Sequence, residues 1–442
     1  MTEYREALRL IRQTALEISQ GARRTRKVSL AKALGRVAAE DIVSPEMLPA
    51  LSNSAVDGFA VRSAETRGAS LDQPMTFPVV GSVVAGDVPP ELGRAPQFAA
   101  WEIMTGAPFP NGFDASMKIE DVVVERDSTG KAVSIEISQQ CEYEDYLRPA
   151  GEDFQIGTSV IKAGAVITAE HLMALSALGF TEIEVQRKLR VALISTGKEV
   201  VDHGADLQPG QIRNSTAPYL MATLEQLGLK LMSHVNVGDD PADFFRELGH
   251  CIDSSPDLII STGAVSMGKH DFIPSVLRDY GAEILFHQVA IRPGKPILLA
   301  KIPKGPVFFG LPGNPVSSVV GMRFFVEPFL RAWSGRKIER PLRARLKTSI
   351  NKVEGLQCFF KAKLEMGEGD PQVAVLAGQP SFMIRPLLES SAWAILPQAG
   401  REISAGEWVD VYPLNSSNQD WAANSGLTHT HQHTTADAGG CC

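Results

Sequence analysis

From Leu189 onward the chain alternates between two hydrophobic periods, and no other feature limits its fold so tightly. A strand-length apolar run from Leu189 to Ile194 gives way to a helical pattern from Ala217 to Leu227 that Gly228 stops. A second run from Leu229 to Val235 then leads to a helix opening at Asp240-Pro241. The pattern continues through a strand from Asp257 to Ile260, a helix from Phe272 to Tyr280 stopped by Gly281, and a hairpin around Ile297 to Phe309. A long helix follows from Val316 to Trp333, with Asn314 and Pro315 as N-cap and first helical residue. Strands separated by helices must cross over and return side by side, so this segment predicts a parallel α/β sheet.

The flanking texture is different. Leu8, Ile11, Ala15 and Ile18 recur at helical spacing near the amino terminus, and the pattern ends near Gly21. From Pro45 to about Pro149, short Val-rich runs (Phe77 to Val84, Met117 to Val124, Val133 to Ile137) are broken by Gly, Pro and Asp, which predicts an inserted β-rich domain. After Gly335, strand-length runs at Arg343 to Ile350, Phe359 to Leu364, Gln372 to Leu376, Ala392 to Leu396 and Trp408 to Tyr412 predict a small barrel or sandwich. The stretch from Ser416 to Cys442 has too few apolar residues to offset its ordering entropy and reads as a disordered tail.

A length of 442 residues with 44% hydrophobic composition suits about three domains. A formal net charge of -8 argues against general nucleic-acid binding, so any anion site must be locally basic. Cys141, Cys251 and Cys358 are isolated and only Cys441 and Cys442 are adjacent. That spacing fits a reducing cytoplasm better than a disulfide framework or a CxxC metal site. No run of 18 apolar residues occurs, so no membrane association is expected. His171, His203, His234, His250, His270 and His287 show no HxxxH or HExxH spacing, while His429, His431 and His433 alternate in the tail.

The chemistry is concentrated in loops. Ser261 to Gly268, Arg292-Pro293-Gly294-Lys295-Pro296 and Leu311-Pro312-Gly313-Asn314-Pro315 carry glycines that let backbone N–H groups approach a ligand closely, and Arg292 and Lys295 add formal charge. Ser195-Thr196-Gly197-Lys198-Glu199 adds hydroxyls and a carboxylate. Three such loops follow the strands ending near Ile194, Ile260 and Phe309. In an open α/β sheet ligands bind outside the carboxyl ends of the strands, so these loops should converge on one crevice. Neither GxxxxGK[ST] nor a strand-linked GxGxxG is present, which argues against a P-loop NTPase and a dinucleotide fold. Asp57, Asp153, Glu199, Asp239, Asp240 and Asp271 sit in loop contexts, where a cluster would suit Mg²⁺.

Taken in order, Asn53 to Ala60, Met104 to Pro108, Gly151-Glu152-Asp153, Ser195 to Glu199, Gly263 to Asp271, Arg292 to Pro296 and Leu311 to Ser317 resemble the MoeA family of molybdopterin molybdenumtransferases over roughly residues 1 to 415. The resemblance implies a multidomain α/β and β protein. Its parts would be a discontinuous linking helical domain (1–50 and 149–186), an inserted β-rich domain (51–148), a central parallel-sheet α/β molybdopterin-binding domain (187–335) and a C-terminal β-barrel (336–415). The implied reaction inserts molybdate into adenylylated molybdopterin with release of AMP, using Mg²⁺, in a cytoplasmic homodimer. A molybdopterin adenylyltransferase would act upstream, and molybdoenzymes or their chaperones downstream.

By the same resemblance, Asp239 and Asp271 would position the metal and phosphates, and Glu199 would stand near the reacting centre. Asp57, Thr105 and Asp153 would reach the pocket from the partner subunit. Ser195, Thr196, Gly197, Thr262, Gly263, Ser266, Gly268, Pro312, Gly313, Asn314 and Lys361 would hold the substrate, and Arg292 and Lys295 would clamp molybdate with Ser317 and Ser381. Several positions depart from the family pattern. Arg292 stands where lysine is usual, Gln288 replaces a lysine of some relatives, Lys198 replaces a common acid, Lys361 stands where arginine is frequent, and Arg385-Pro386 replaces a serine pair. Arg and Lys differ in donor geometry, so preference between molybdate and tungstate stays open. Two other classes stay open as well: a non-catalytic cofactor carrier or scaffold, and a molybdopterin adenylyltransferase, which would need the α/β segment alone.

Overall fold

The computed structural model describes residues 1–22, 25–89, 96–266 and 271–415. Gly268, the histidine-bearing tail and its two cysteines therefore lie outside the described residues. The chain forms two compact units, one made of Met1–Arg26 with everything from Gln186 onward, the other of Lys27–Val185.

In the first unit, six strands form a sheet: β1 (Arg190–Thr196), β2 (Lys230–Val237), β3 (Leu258–Thr262), β4 (Glu283–His287), β5 (Leu298–Lys301) and β6 (Val307–Leu311). Their spatial order is β2-β1-β3-β6-β5-β4; the first four are parallel, and β5 and β4 are antiparallel additions. The helices α1 (Thr216–Gln226), α2 (Pro241–Asp253), α3 (Ile273–Asp279) and α4 (Pro315–Gly321) connect or follow them. Alternate residues of the strands face two separate cores, as expected of a sheet covered on both sides. Val191, Leu193, Ile260 and Phe309 join α1 and the N-terminal helix Tyr4–Ala22, while Ala192, Ile194, Ile259 and Phe308 join Phe244 of α2 and Ile273 of α3.

Ala7, Ile11 and Ala15 are fully buried in the first of these cores. Residues 1–26 thus group with the α/β body, where the sequence expectation joins 1–50 to 149–186. The long helix expected from Val316 to Trp333 is helical throughout but not uniform: a π-turn at Met322–Val326 separates α4 from Glu327–Trp333. Pro328 has no N–H to return to Phe324, and the ladder shifts register just before it, with the Glu327 N–H returning to Met322.

The C-terminal strands Leu342–Leu346, Gln357–Glu365, Gln372–Val375, Ala392–Leu396 and Trp408–Pro413 close into a five-stranded barrel, because Gln357–Glu365 pairs with both Gln372–Val375 and Ala392–Leu396. A sixth element, Ile291–Arg292, leaves the α/β sheet and joins the barrel alongside Gln357 and Cys358.

The second unit contains a six-stranded mixed sheet in the order Ala115–Lys118, Gly58–Val61, Ala100–Ile103, Met75–Val83, Ala132–Ile137, Val122–Arg126. The run expected as one strand from Met117 to Val124 is two, split by a 3₁₀ turn at Ile119–Asp121 whose Ile119 N–H donates to the Asp57 carbonyl at 3.0 Å. A separate small core of Val28, Ala38, Ile42, Ile161, Leu175 and Val185 gathers the rest of this unit. Among the described residues, no helix is long and apolar enough to cross a membrane.

Candidate functional site

The order of the α/β sheet reverses at β1, whose successor β2 lies on one side and β3 on the other; this is where an open sheet leaves a crevice. Four parallel strands deliver their carboxyl ends there. Thr196 Oγ1 donates to the Thr262 carbonyl at 2.9 Å, Gly197 N–H to Val237 at 3.1 Å and Gly263 N–H to Leu311 at 3.0 Å. The loops are stacked backbone against backbone. A Cβ at Gly263 would lie 2.5 Å from Thr196 Oγ1, and one at Gly313 would lie 3.6 Å from the Gly263 Cα. Gly263 also has φ +87°, so no other residue fits its place without strain. Its neighbour Ala264 is itself held at φ 51°, a left-handed conformation that costs a residue with a Cβ some backbone strain.

Between these loops opens a cavity of about 740 Å³. Of the residues singled out in the sequence, Ser195, Thr196, Gly197, Lys198, Glu199, Asp239, Thr262, Gly263, Asp271, Gly313 and Asn314 line it. Asp240 instead caps α2, its carboxylate accepting from the Ala242 N–H at 2.8 Å. The formal charges on the wall are Lys198 and Arg213 against Glu199, Asp239 and Asp271, so the donors for an anion are mainly backbone and hydroxyl groups.

The sequence reading missed Ile212 to Thr216 and Phe382, which also line the cavity. Asn214 precedes the N-cap Ser215 of α1 and accepts from the Ala217 N–H in its first turn at 3.0 Å. It also donates to Ser195 Oγ at 3.1 Å and to Asn236 Oδ1 at 3.1 Å. Ser195 Oγ lies 3.0 Å from His234 Nε2, and Asn236 donates to Asp202 at 2.8 Å. Burial pushes the His234 imidazole below its usual value, with Asp202 pulling the other way. The network orients Ser195 at the cavity floor.

A second group gathers at the first turn of α4. The Val316 N–H donates to the Ser381 carbonyl at 3.0 Å, and a Cβ at Gly294 would sit 3.6 Å from the Ser317 carbonyl. This brings the Arg292–Lys295 loop, Ser317 and Ser381 together, but none of these four lines the cavity. The reason is topological: pairing with the barrel strand draws Arg292 away from the sheet ends. Pro312 is buried behind the cavity, its carbonyl accepting from Ser318, and Ser266 stands exposed outside it. Lys361 differs from the expectation of a ligand-binding cation. It is fully buried, and its ammonium donates to the carbonyls of Gly378 (2.7 Å), Met383 (3.0 Å) and Pro380 (3.4 Å).

In the second unit, Asp57 Oδ1 accepts from both the Thr105 N–H (2.7 Å) and its hydroxyl (2.8 Å), which holds the carboxyl below its ordinary value and keeps it charged on an exposed surface. Gly58 follows because a Cβ there would fall 1.8 Å from the Met117 carbonyl. Asp153 is exposed on another turn, its N–H donating to Leu48 at 3.0 Å. Among the described residues, no group of three or more His, Cys, Asp or Glu side chains is placed to hold a metal by itself.

Three family models match the chain consecutively: "MoeA N-terminal region (domain I and II)" over residues 2–179, "Probable molybdopterin binding domain" over 192–332 and "MoeA C-terminal region (domain IV)" over 343–414. A molybdopterin molybdenumtransferase of Synechococcus elongatus is 40% identical over 404 residues, covering 90% of this chain and 96% of that one. One from Haemophilus influenzae is 34% identical, covering 88% and 94%. The crystal structure of the molybdopterin biosynthesis MoeA protein of Pyrococcus horikoshii is 31% identical with a TM-score of 0.76, covering 91% of this chain and 98% of that one. With its sheet-end cavity, closed barrel and near end-to-end likeness to these relatives, the chain belongs to the MoeA family of molybdopterin molybdenumtransferases.

Proposed function

We propose that this chain inserts molybdate into adenylylated molybdopterin with release of AMP, the last step of molybdenum cofactor synthesis. The observation that carries the reading is the stacking of Thr196, Gly263 and Gly313 around one cavity of about 740 Å³, within the usual range of roughly 300–1,000 Å³ for small-ligand sites. Uncharged donors set on a rigid sheet need no reorganisation as charge develops on a breaking phosphoanhydride, and preorganised donors of this kind supply much of an enzyme's rate enhancement.

The acidic wall supports a metal requirement. Three carboxylates against two cations would repel a pyrophosphate bridge unless a further cation entered with it. Asp239 and Asp271 share the cavity, and a pair of carboxylates completed by ligand phosphates suits Mg²⁺ better than a closed protein cage does. When bound, the metal would neutralise phosphate charge and act as a Lewis acid on the anhydride. Glu199 stands on the same wall near the reacting centre, Ser195 and Asn214 orient the polar floor, and Arg292, Lys295, Ser317 and Ser381 take the oxyanion at the turn of α4.

Asp57 and Thr105, with Asp153, complete the site from the partner subunit of a homodimer in this reading. Their support is an exposed carboxylate fixed by two Thr105 donors, a group set for an external contact. The domain limits follow the MoeA layout, and the setting is the cytoplasm. The deciding experiment incubates the purified protein with adenylylated molybdopterin, Mg²⁺ and molybdate and follows AMP. Release that depends on molybdate and Mg²⁺ supports the reading, and AMP release indifferent to molybdate would defeat it.

A further inference from the structure

One aromatic side chain stands on the wall of the cavity, beside the aliphatic Val200 and Ile212: Phe382, which remains 66% exposed. An exposed phenyl on a loose turn would be unremarkable, but this turn is fixed from three directions. Lys361, fully buried beneath it, gives its ammonium protons to the carbonyls of Gly378, Pro380 and Met383. The Gln379 side chain is bonded at both ends, accepting from the Lys361 N–H at 3.0 Å and donating to the Lys361 and Leu376 carbonyls at 2.9 and 2.7 Å. The Ser381 carbonyl accepts from Val316 at the start of the helix that follows Gly313 and Asn314. A buried lysine whose ammonium holds three carbonyls of one turn acts to place what the turn carries.

We propose that Phe382 is a stacking surface for the planar heteroaromatic ring of the substrate, with Lys361 as its positioning residue. The proposal rests on the functional reading above, and it assigns the aromatic face that reading leaves unused. A ring attached to phosphate brings both chemistries the cavity offers: anionic oxygens for the Gly197, Gly263 and Gly313 loops, and a π face for Phe382. Stacking of a base on an aromatic side chain is insensitive to the ring's hydrogen-bonding edge, so adenine and pterin share this chemistry.

The test is calorimetric binding of AMP, molybdopterin and ribose 5-phosphate to the full chain and to Phe382→Ala, Phe382→Trp and Lys361→Gln. The alanine variant keeps the fold, since the side chain it removes is mostly in solvent. The expected result is a rise in Kd on the order of tenfold for AMP, molybdopterin or both, with ribose 5-phosphate affinity unchanged. Loss with AMP alone identifies adenine as the stacked ring, and loss with molybdopterin alone identifies the pterin. Phe382→Trp should restore affinity and show indole fluorescence quenched by the ring-bearing ligand only, a signal that a structural role for residue 382 would not produce. Lys361→Gln, if folded, should weaken the same ligand and spare ribose 5-phosphate. Wild-type affinity in Phe382→Ala for both ring-bearing ligands would overturn the stacking role and leave the enzyme reading standing. Failure of the unaltered protein to bind either of them would overturn both.

Discussion

The cavity at the strand ends and the turn of α4 beside the barrel present polar groups of opposite kinds, although a few residues of one loop connect them. The cavity relies on Thr196, Gly197, Gly263 and Gly313, neutral groups stacked on strands, and its formal charges lean acidic through Glu199, Asp239 and Asp271. The turn of α4 gathers Arg292 and Lys295, both exposed, and among the described residues neither forms an ion pair with a carboxylate. The difference teaches a division of labour. A polyphosphate that arrives with its own cation needs shape and oriented dipoles, whereas a naked tetrahedral dianion needs uncompensated positive charge.

The sharpest way to break that division is Asp271→Asn. If the acidic wall exists to share a cation with phosphate, turnover should fall about a thousandfold, some 4 kcal/mol of transition-state stabilisation, with the thermal midpoint nearly unmoved. Rates within a few-fold of wild type would remove Asp271 from the site. Gly263→Ala probes the neutral half. Its Cβ would meet Thr196 Oγ1 at 2.5 Å and its carbonyl at 2.9 Å in a left-handed backbone, so a stability loss of about 3 kcal/mol is expected in denaturant titration, with AMP affinity falling as well. A silent substitution would mean that the loops can separate without loss. Lys361→Met tests the other region. Three buried carbonyls would lose their donor, which should cost about 2 kcal/mol; an unchanged thermal midpoint would show that the turn stands without it.

The two regions also differ in how readable they were. The strand-and-loop alternation from Leu189 predicts the sheet, and the rule that ligands gather at strand ends then brings Ser195, Thr262 and Gly313 together without any three-dimensional information. Long-range pairing was not legible. Nothing in Ile291-Arg292 announces that two residues will desert the α/β sheet for a barrel strand some 65 residues later in the chain, yet that pairing decides where Arg292 stands. Lys361 illustrates the same limit, because a lysine inside a strand of alternating pattern reads as a surface cation until its three carbonyl partners are known. Arg323 sits within an apolar helical run, shared between Glu327 one turn on, the Pro413 carbonyl and Glu339 at 2.7 Å, and the approach of Glu339 depends on how the chain turns after Gly335. Phe382 was passed over because an aromatic between Ser and Met usually signals packing, not display.

The smallest expected effect concerns the floor of the cavity. His234 Nε2 lies 3.0 Å from Ser195 Oγ, which also accepts from Asn214; in the neutral tautomer with its proton on Nδ1, the ring accepts the hydroxyl proton at Nε2. Burial agrees, holding the imidazole below its unfolded value near 6.5 against the opposing pull of Asp202. Between the two values the unfolded chain binds more protons than the folded one. The contribution is therefore complete above about pH 6.5 and is lost as the pH falls through the lower folded value. Protonation of that tautomer would also turn Nε2 into a donor and reorient the Ser195 hydroxyl, so AMP affinity should weaken over the same acid interval. Thermal midpoints and AMP affinities measured from about pH 8 to 5 should show this decline in the wild type and a flatter profile in His234→Gln. Identical slopes in the two proteins would mean that the Ser195 contact is packing alone and that His234 does not make the neutral half of the site sensitive to pH.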